Sequence, residues 1–267
     1  MARIPFTVLI LAAALGLARA AETPAPPPAG APPTVGTKLS AACDVPANDI
    51  ANSGSLRNLG AKLARGEPIT ILAIGSSSTS GIGASSRSRN YPSDLRGILG
   101  KALAKAKVTV INRGIAGEVA SETADRMRTE VALDRPDLVL WQLGTNDAVA
   151  HVDPSDFETT VVDTVRWLHD NGIDVALIGL QYTSRFSRDA SYVAIRDALW
   201  KVADREHVLY VRRYSAMRFI AKTRAKLKMM APDNFHLNDL GYECMAEHVA
   251  KAVVGALFVK RFRPVAR

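Results

Sequence analysis

Cysteine is nearly absent: Cys43 and Cys244 are the only two in 267 residues. They permit at most one disulfide, which an oxidising compartment would allow and which would fasten the N-terminal segment to the last helix. Two separate thiols are the other reading, because spacing along a chain says nothing of the geometry a disulfide needs. Beyond residue 20 no stretch is long and apolar enough to span a bilayer core, so stable membrane insertion of a mature chain is not expected. The five histidines, His151, His169, His207, His236 and His248, lack ligand spacing of the His-Glu-x-x-His kind, so neither a metal nor another cofactor is expected. The basic residues lack aromatic interleaving and any nucleic-acid-binding motif, which leaves no reason to expect a nucleic-acid partner. There is no internal repeat.

What is present begins with Arg3, an apolar run from Phe6 to Leu17 and then Ala18-Arg19-Ala20. That is the pattern of a secretory signal cleaved after Ala20, and the run is shorter than the roughly 20 residues an anchor would need. Export to the periplasm or beyond the cell follows as an expectation. Residues 21–40, rich in Pro and Ala, are expected to be an extended linker, with the folded domain occupying 41–267. The formal charge is +8, and residues 1–20 contain two arginines and no acid, so their removal leaves +6. Such a bias suits an acidic polymer and equally a basic protein with no charged partner. Arg218, Lys222, Arg224, Lys226 and Lys228 lie mostly at helical spacing around Phe219, Ile220 and Leu227, which reads as a solvated helix face. Oligomeric state leaves no mark.

From Pro68 onward, short β-branched runs alternate with longer amphipathic ones. The runs at 68–75, 108–115, 137–144, 174–181 and 208–213 predict five buried strands. Segments 91–107, 121–133, 153–171, 188–207 and 238–262 predict helices; Pro92 sits where a first-turn proline belongs, Gly172 closes the third, and Asn238 caps the last. Right-handed crossovers then give a three-layer α/β/α domain, a doubly wound parallel five-stranded sheet in flavodoxin-like order. Ligands of such sheets bind beyond the carboxyl ends of the strands.

Those ends carry the chemistry. Strand one runs into Gly75-Ser76-Ser77-Ser78-Thr79-Ser80-Gly81, strand two into Asn112 to Gly117, strand three into Gly144-Thr145-Asn146-Asp147, and Asp233-Asn234-Phe235-His236 follows strand five. A serine becomes nucleophilic when an imidazole takes its proton and a carboxylate fixes the imidazole tautomer. Asp233 and His236, three residues apart, can do this within one turn and leave Nε2 facing Ser77. Acyl transfer also requires donors for the oxyanion. Gly117 offers an unobstructed backbone N–H and Asn146 a side-chain amide, to which the Ser77 N–H adds a third. Taken singly, Asp-x-x-His, Gly117 and Asn146 are explained as well by caps and turns. Tyr182, Phe186, Met229 and Met230 could line an acyl or sugar site, although apolar residues at this density also serve as packing.

In chain order the four blocks resemble the SGNH, or GDSL-like, hydrolases over residues 68–257. The first block resembles that family's Gly-Asp-Ser motif, with Ser77 at the nucleophile and Ser76 in place of the aspartate; Ser76 and Ser78 are rival hydroxyls. The second places Gly117 at the oxyanion glycine, the third Asn146 at the amide donor, and the last Asp233 and His236 at the charge partners. The resemblance implies a serine esterase that removes short acyl groups, acetyl foremost, from a small-molecule or polysaccharide ester through an acyl-enzyme. Three alternatives stand beside it. One is an O-acyltransferase using the same triad; another is a flavodoxin-like module binding phosphate or flavin on the loop from Ser77 to Gly81; the third is a non-catalytic carbohydrate-binding domain.

Overall fold

The computed structural model describes residues 37–104 and 106–257; the expected signal segment and most of the expected linker lie outside them. Five parallel strands form one sheet: β1 (Ile69–Gly75), β2 (Val108–Gly114), β3 (Leu138–Gln142), β4 (Asp174–Ile178) and β5 (Leu209–Val211). Their order is β2-β1-β3-β4-β5, so the three-layer doubly wound expectation is met in detail.

The sequence makes this sheet by alternation. Ile71, Ala73, Leu138, Leu140, Ala176, Ile178, Leu209 and Val211 enter one apolar cluster, while Leu72, Ile74, Val139, Trp141, Val175, Leu177 and Tyr210 enter the other. Because side chains alternate across a strand, a continuous apolar run serves both faces at once. One face is covered by α1 (Arg57–Ala64), α3 (Tyr91–Ala102) and α9 (Asp239–Leu257), the other by α4 (Ala120–Asp134), α6 (Pro154–Asp170) and α7 (Ala190–Arg205).

Capping fixes where these helices start. Asn90 accepts from Ser93 N at 3.0 Å with Pro92 in the first turn, Asp153 from Ser155 N at 2.8 Å, Asp189 from Tyr192 N at 2.9 Å, and Asn238 from Gly241 N at 3.0 Å. Two of the longer helices were not among the expected segments: α1, which lies ahead of the first strand, and α8 (Arg213–Thr223), which begins directly after β5, where a longer strand was expected. The helical face expected up to Lys228 ends at Thr223, although Arg218, Lys222, Lys226 and Lys228 are exposed as a solvated surface requires.

The segment before α1 closes the β5 edge. Asn52 exchanges two hydrogen bonds with the Tyr210 backbone, and Arg212 N donates to Ile50 O. Packing already includes Leu39, which is buried, and Ser40, whose N–H reaches Glu247. Cys43 and Cys244 are joined as a disulfide, so of the two readings the staple to α9 is the one the structure holds.

Register brings the strand ends level. Gly114 pairs with Gly75, Gly75 with Gln142, Gln142 with Ile178, and Ile178 with Val211. These five residues form one row, and every loop that leaves it emerges on the same rim.

Candidate active site

The first loop leaves β1 through Gly75, whose φ is +142° and whose added Cβ would fall 2.2 Å from Gln142 O. A side chain there is excluded, so the chain can turn sharply against β3. Ser76 is extended, and a single helical turn, α2 (Ser77–Ser80), follows. The three serines diverge. Ser76 donates both N–H and O–H to Gln142 Oε1, each at 3.1 Å, and Thr79 Oγ1 joins them at 3.2 Å. Ser78 Oγ accepts from Arg213 Nη2 at 2.9 Å. The Ser77 hydroxyl makes no hydrogen bond to another described residue and sits at the first position of the turn. The N–H groups of Thr79, Ser80, Gly81 and Ile82 all bond within this turn, which leaves few donors to cradle a phosphate.

The second and third loops are tied to the first and to each other. Asn112 Nδ2 donates to Thr79 O at 2.7 Å while its Oδ1 accepts from Gly114 N. Gly117 has a φ of +91° in open space, a left-handed turn that a Cβ would strain. Asn146 Nδ2 donates to Glu118 O at 2.8 Å, which fixes the amide and leaves its second N–H to the site. Asp147 clasps the same loop from within: Oδ1 accepts from Ala120 N at 2.7 Å and Oδ2 from Gly144 N at 3.0 Å. Burial pushes its carboxyl above the ordinary aspartate value, and those N–H groups pull the other way. Sequence reasoning gave Asp147 no role; a buried acid three residues after a glycine turn was the available signal.

In the last block, Asp233 Oδ1 accepts from the N–H groups of Phe235 and His236, both at 2.9 Å, and Oδ2 lies 2.6 Å from His236 Nδ1. Chiefly the bond to His236, and then those backbone N–H groups, hold the carboxyl down at about 2. An ionised Asp233 selects the imidazole tautomer with its proton on Nδ1, and no described residue occupies Nε2.

This loop meets the Ser77 turn. A Cβ built on Gly83, six residues past Ser77, would fall 3.0 Å from the His236 Cβ. A second link is polar: Gln181 Nε2 donates to Phe235 O at 2.9 Å, and Gln181 Oε1 accepts from the same Arg213 Nη2 that holds Ser78. Ser77, Gly117, Asn146, Asp233 and His236 thus all lie on loops of one rim. Gln181 and Arg213 were missed as site residues because they read as the polar ends of buried strands. Of the candidate lining residues, Phe186 packs edge-on to Phe235 and stacks on Tyr192, and Tyr182 meets Tyr214 edge-on. Met229 belongs to the core and Met230 packs against it. Among the described residues no group of three or more His, Cys, Asp or Glu side chains could hold a metal ion.

The model of the Non-GDSL lipase-like family matches residues 42–258, which include every block above. The chain belongs to that family. The family's description suits a first block that reads Gly75-Ser76-Ser77 rather than Gly-Asp-Ser, and the resemblance to SGNH hydrolases holds at this level. An arylesterase from Vibrio mimicus is 24% identical over 147 residues, covering 55% of this chain and 70% of the relative. Among solved structures, a two-domain esterase active on acetylated mannans superposes with a TM-score of 0.66 at 19% identity, covering 82% of this chain. This member of the lipase-like family spans 60% of that protein's length. A catalytic mutant of an acetylxylan esterase from Geobacillus stearothermophilus gives a TM-score of 0.60 at 19% identity over 69% of this chain and 94% of the other. At such identities the likeness is one of fold.

Proposed function

We propose that this chain is an exported serine esterase that hydrolyses short acyl esters, acetyl foremost, on a carbohydrate. Ser77 Oγ attacks the ester carbonyl while His236 Nε2 takes its proton, and Asp233, ionised throughout, steadies the imidazolium. The N–H groups of Ser77 and Gly117 and the free amide N–H of Asn146 receive the oxyanion. His236 returns the proton to the departing alcohol, and water activated by the same base then releases the acyl group. The site needs no metal or cofactor for these steps.

What supports this reading is a carboxylate-held imidazole on a loop packed against the segment that follows Ser77, together with the one hydroxyl of three adjacent serines that has no other engagement among the described residues. The carbohydrate ester rests on the proteins this chain is similar to: one acts on acetylated mannans, and another is an acetylxylan esterase. Export rests on the N-terminal pattern of Arg3, an apolar run and Ala18-Arg19-Ala20. No helix among the described residues is long and apolar enough to cross a membrane.

The test is hydrolysis of p-nitrophenyl esters of increasing acyl length, with and without an alcohol acceptor. Acetate is expected to be the best substrate, water the dominant acceptor, and Ser77→Ala to lose roughly a thousandfold in kcat. Unchanged turnover by Ser77→Ala would remove the proposed nucleophile.

A further inference from the structure

Arg213 is 3% exposed, and no acidic side chain pairs with it among the described residues. Its Nη2 serves Ser78 Oγ and Gln181 Oε1, both at 2.9 Å, whereas Nε and Nη1 are buried with no partner among the described residues. The ionisable groups around it are tyrosines: Tyr91 from α3, Tyr192 from α7 and Tyr242 from α9. Tyr242 also feels Asp233, the acid on the neighbouring loop. Burial draws the guanidinium below its ordinary value, yet an arginine stays charged in a protein.

A buried cation without a counter-ion is expensive, and the two acceptors it serves could be satisfied by a neutral amide. Holding Ser78 and Gln181 therefore does not explain the charge. Its position does. Ser78 directly follows the nucleophile, and Gln181 holds the carbonyl of Phe235, which directly precedes His236. The sequence of contacts Ser78, Arg213, Gln181, Phe235 is a buried tie between the two halves of the proton-transfer pair. The rim is neutral at Ser77 before reaction and gains a negative oxygen once the hydroxyl attacks. A fixed positive charge in a dry setting next to that turn is better matched in the transition state than in the resting site, which is the condition for catalysis.

We propose that Arg213 is a positioning residue that locks the Ser77 turn to the His236 loop, its unneutralised charge favouring the oxyanion that forms beside Ser77. This rests on the serine esterase reading.

The experiment compares wild type, Arg213→Gln, Arg213→Lys and Gln181→Leu. Each is measured for kcat and KM on p-nitrophenyl acetate, for thermal midpoint, and for labelling of Ser77 by a fluorophosphonate. Arg213→Gln is expected to lower kcat about a hundredfold, with KM within about twofold. Its midpoint should be unchanged or higher, because an unpaired buried charge has been removed. Arg213→Lys, which keeps the charge, should recover at least about tenfold over the glutamine variant. Gln181→Leu cuts the tie and leaves the cation; it should lose about tenfold in kcat and keeps the test open if Arg213→Gln does not fold. A kcat in Arg213→Gln within about threefold of wild type would overturn the proposal, as would a lysine variant no better than glutamine or a Gln181→Leu variant of wild-type rate. Those results leave the esterase reading standing. Wild type that neither cleaves esters nor takes the phosphonate ends both.

Discussion

Gln142 receives on one oxygen both the N–H and the hydroxyl of Ser76, each at 3.1 Å. Gln142 is buried at the end of β3 and Ser76 just past the end of β1, so the contact spans the point where the strand order reverses. Ser76, which stands where the GDSL-like hydrolases that this chain resembles carry an aspartate, thus has its N–H and hydroxyl turned onto β3.

Alanine substitutions should therefore separate the three serines. Ser77→Ala removes the proposed nucleophile, whereas Ser76→Ala forfeits one neutral hydrogen bond, a loss of about 1 kcal/mol in stability with kcat within a few-fold of wild type. Ser78→Ala leaves an Arg213 donor without its acceptor and should cost about 1–3 kcal/mol in stability. Denaturant melts and ester turnover on the three variants check this, and greater loss of turnover in Ser76→Ala than in Ser77→Ala would contradict the assignment.

Asp233 should impose no titration of its own on activity in the working range. Its folded value is held down at about 2, below that of an unfolded aspartate, so its contribution is complete above the unfolded value and fades only as pH falls through the folded one. Between pH 4 and 8 the acid limb of kcat/KM should therefore carry no proton that belongs to Asp233. Asp233→Asn should lower kcat by about 10³–10⁴ by releasing the imidazole tautomer. An acid limb of slope two in wild type within that range would argue against this account.

Asn146→Ala removes the proposed oxyanion donor and also the bond to Glu118 O beside the Gly117 turn. We expect a fall in kcat of about 10²–10³ with a small change in KM. Steady-state kinetics on a short ester decide it, and a rise in KM at constant kcat would show that Asn146 binds substrate without serving the transition state.

Reduction of the disulfide should weaken the fold and spare the chemistry. Cys43 and Cys244 are fully buried among core residues and close a loop of 201 residues, so Cys43→Ser with Cys244→Ser should cost about 2–5 kcal/mol. Calorimetry should record a midpoint lower by roughly 5–15 °C. Turnover at 25 °C should remain that of wild type, and its loss there would mean that the staple shapes the rim.

Much of the architecture was legible because its signals are local. Continuous apolar runs such as 69–75 and 138–142 must be buried on both faces, and Asn90-x-Pro92 and Asp153-Pro154 cap helices through neighbours in sequence. Helix α8 was misread because β5 is only three residues long and Arg212-Arg213 follows it with no turn signal between. The charges of α8 lie on its outer face, but Arg213, at its first position, goes inward.

By itself the sequence determined the strand order, most of the helices, and the placement of Ser77, Gly117 and Asn146 after strand ends, since alternation, capping and turn residues act over a few positions; Asp233 and His236 lie beyond α8, in the loop before the last helix. Tertiary structure alone decided which serine hydroxyl stays free, that Cys43 meets Cys244, and that Arg213 reaches Ser78 across 135 residues. The physical reason is that a side chain's partners depend on which strand ends the sheet brings level, and that is set only when β1, β3, β4 and β5 pair in register.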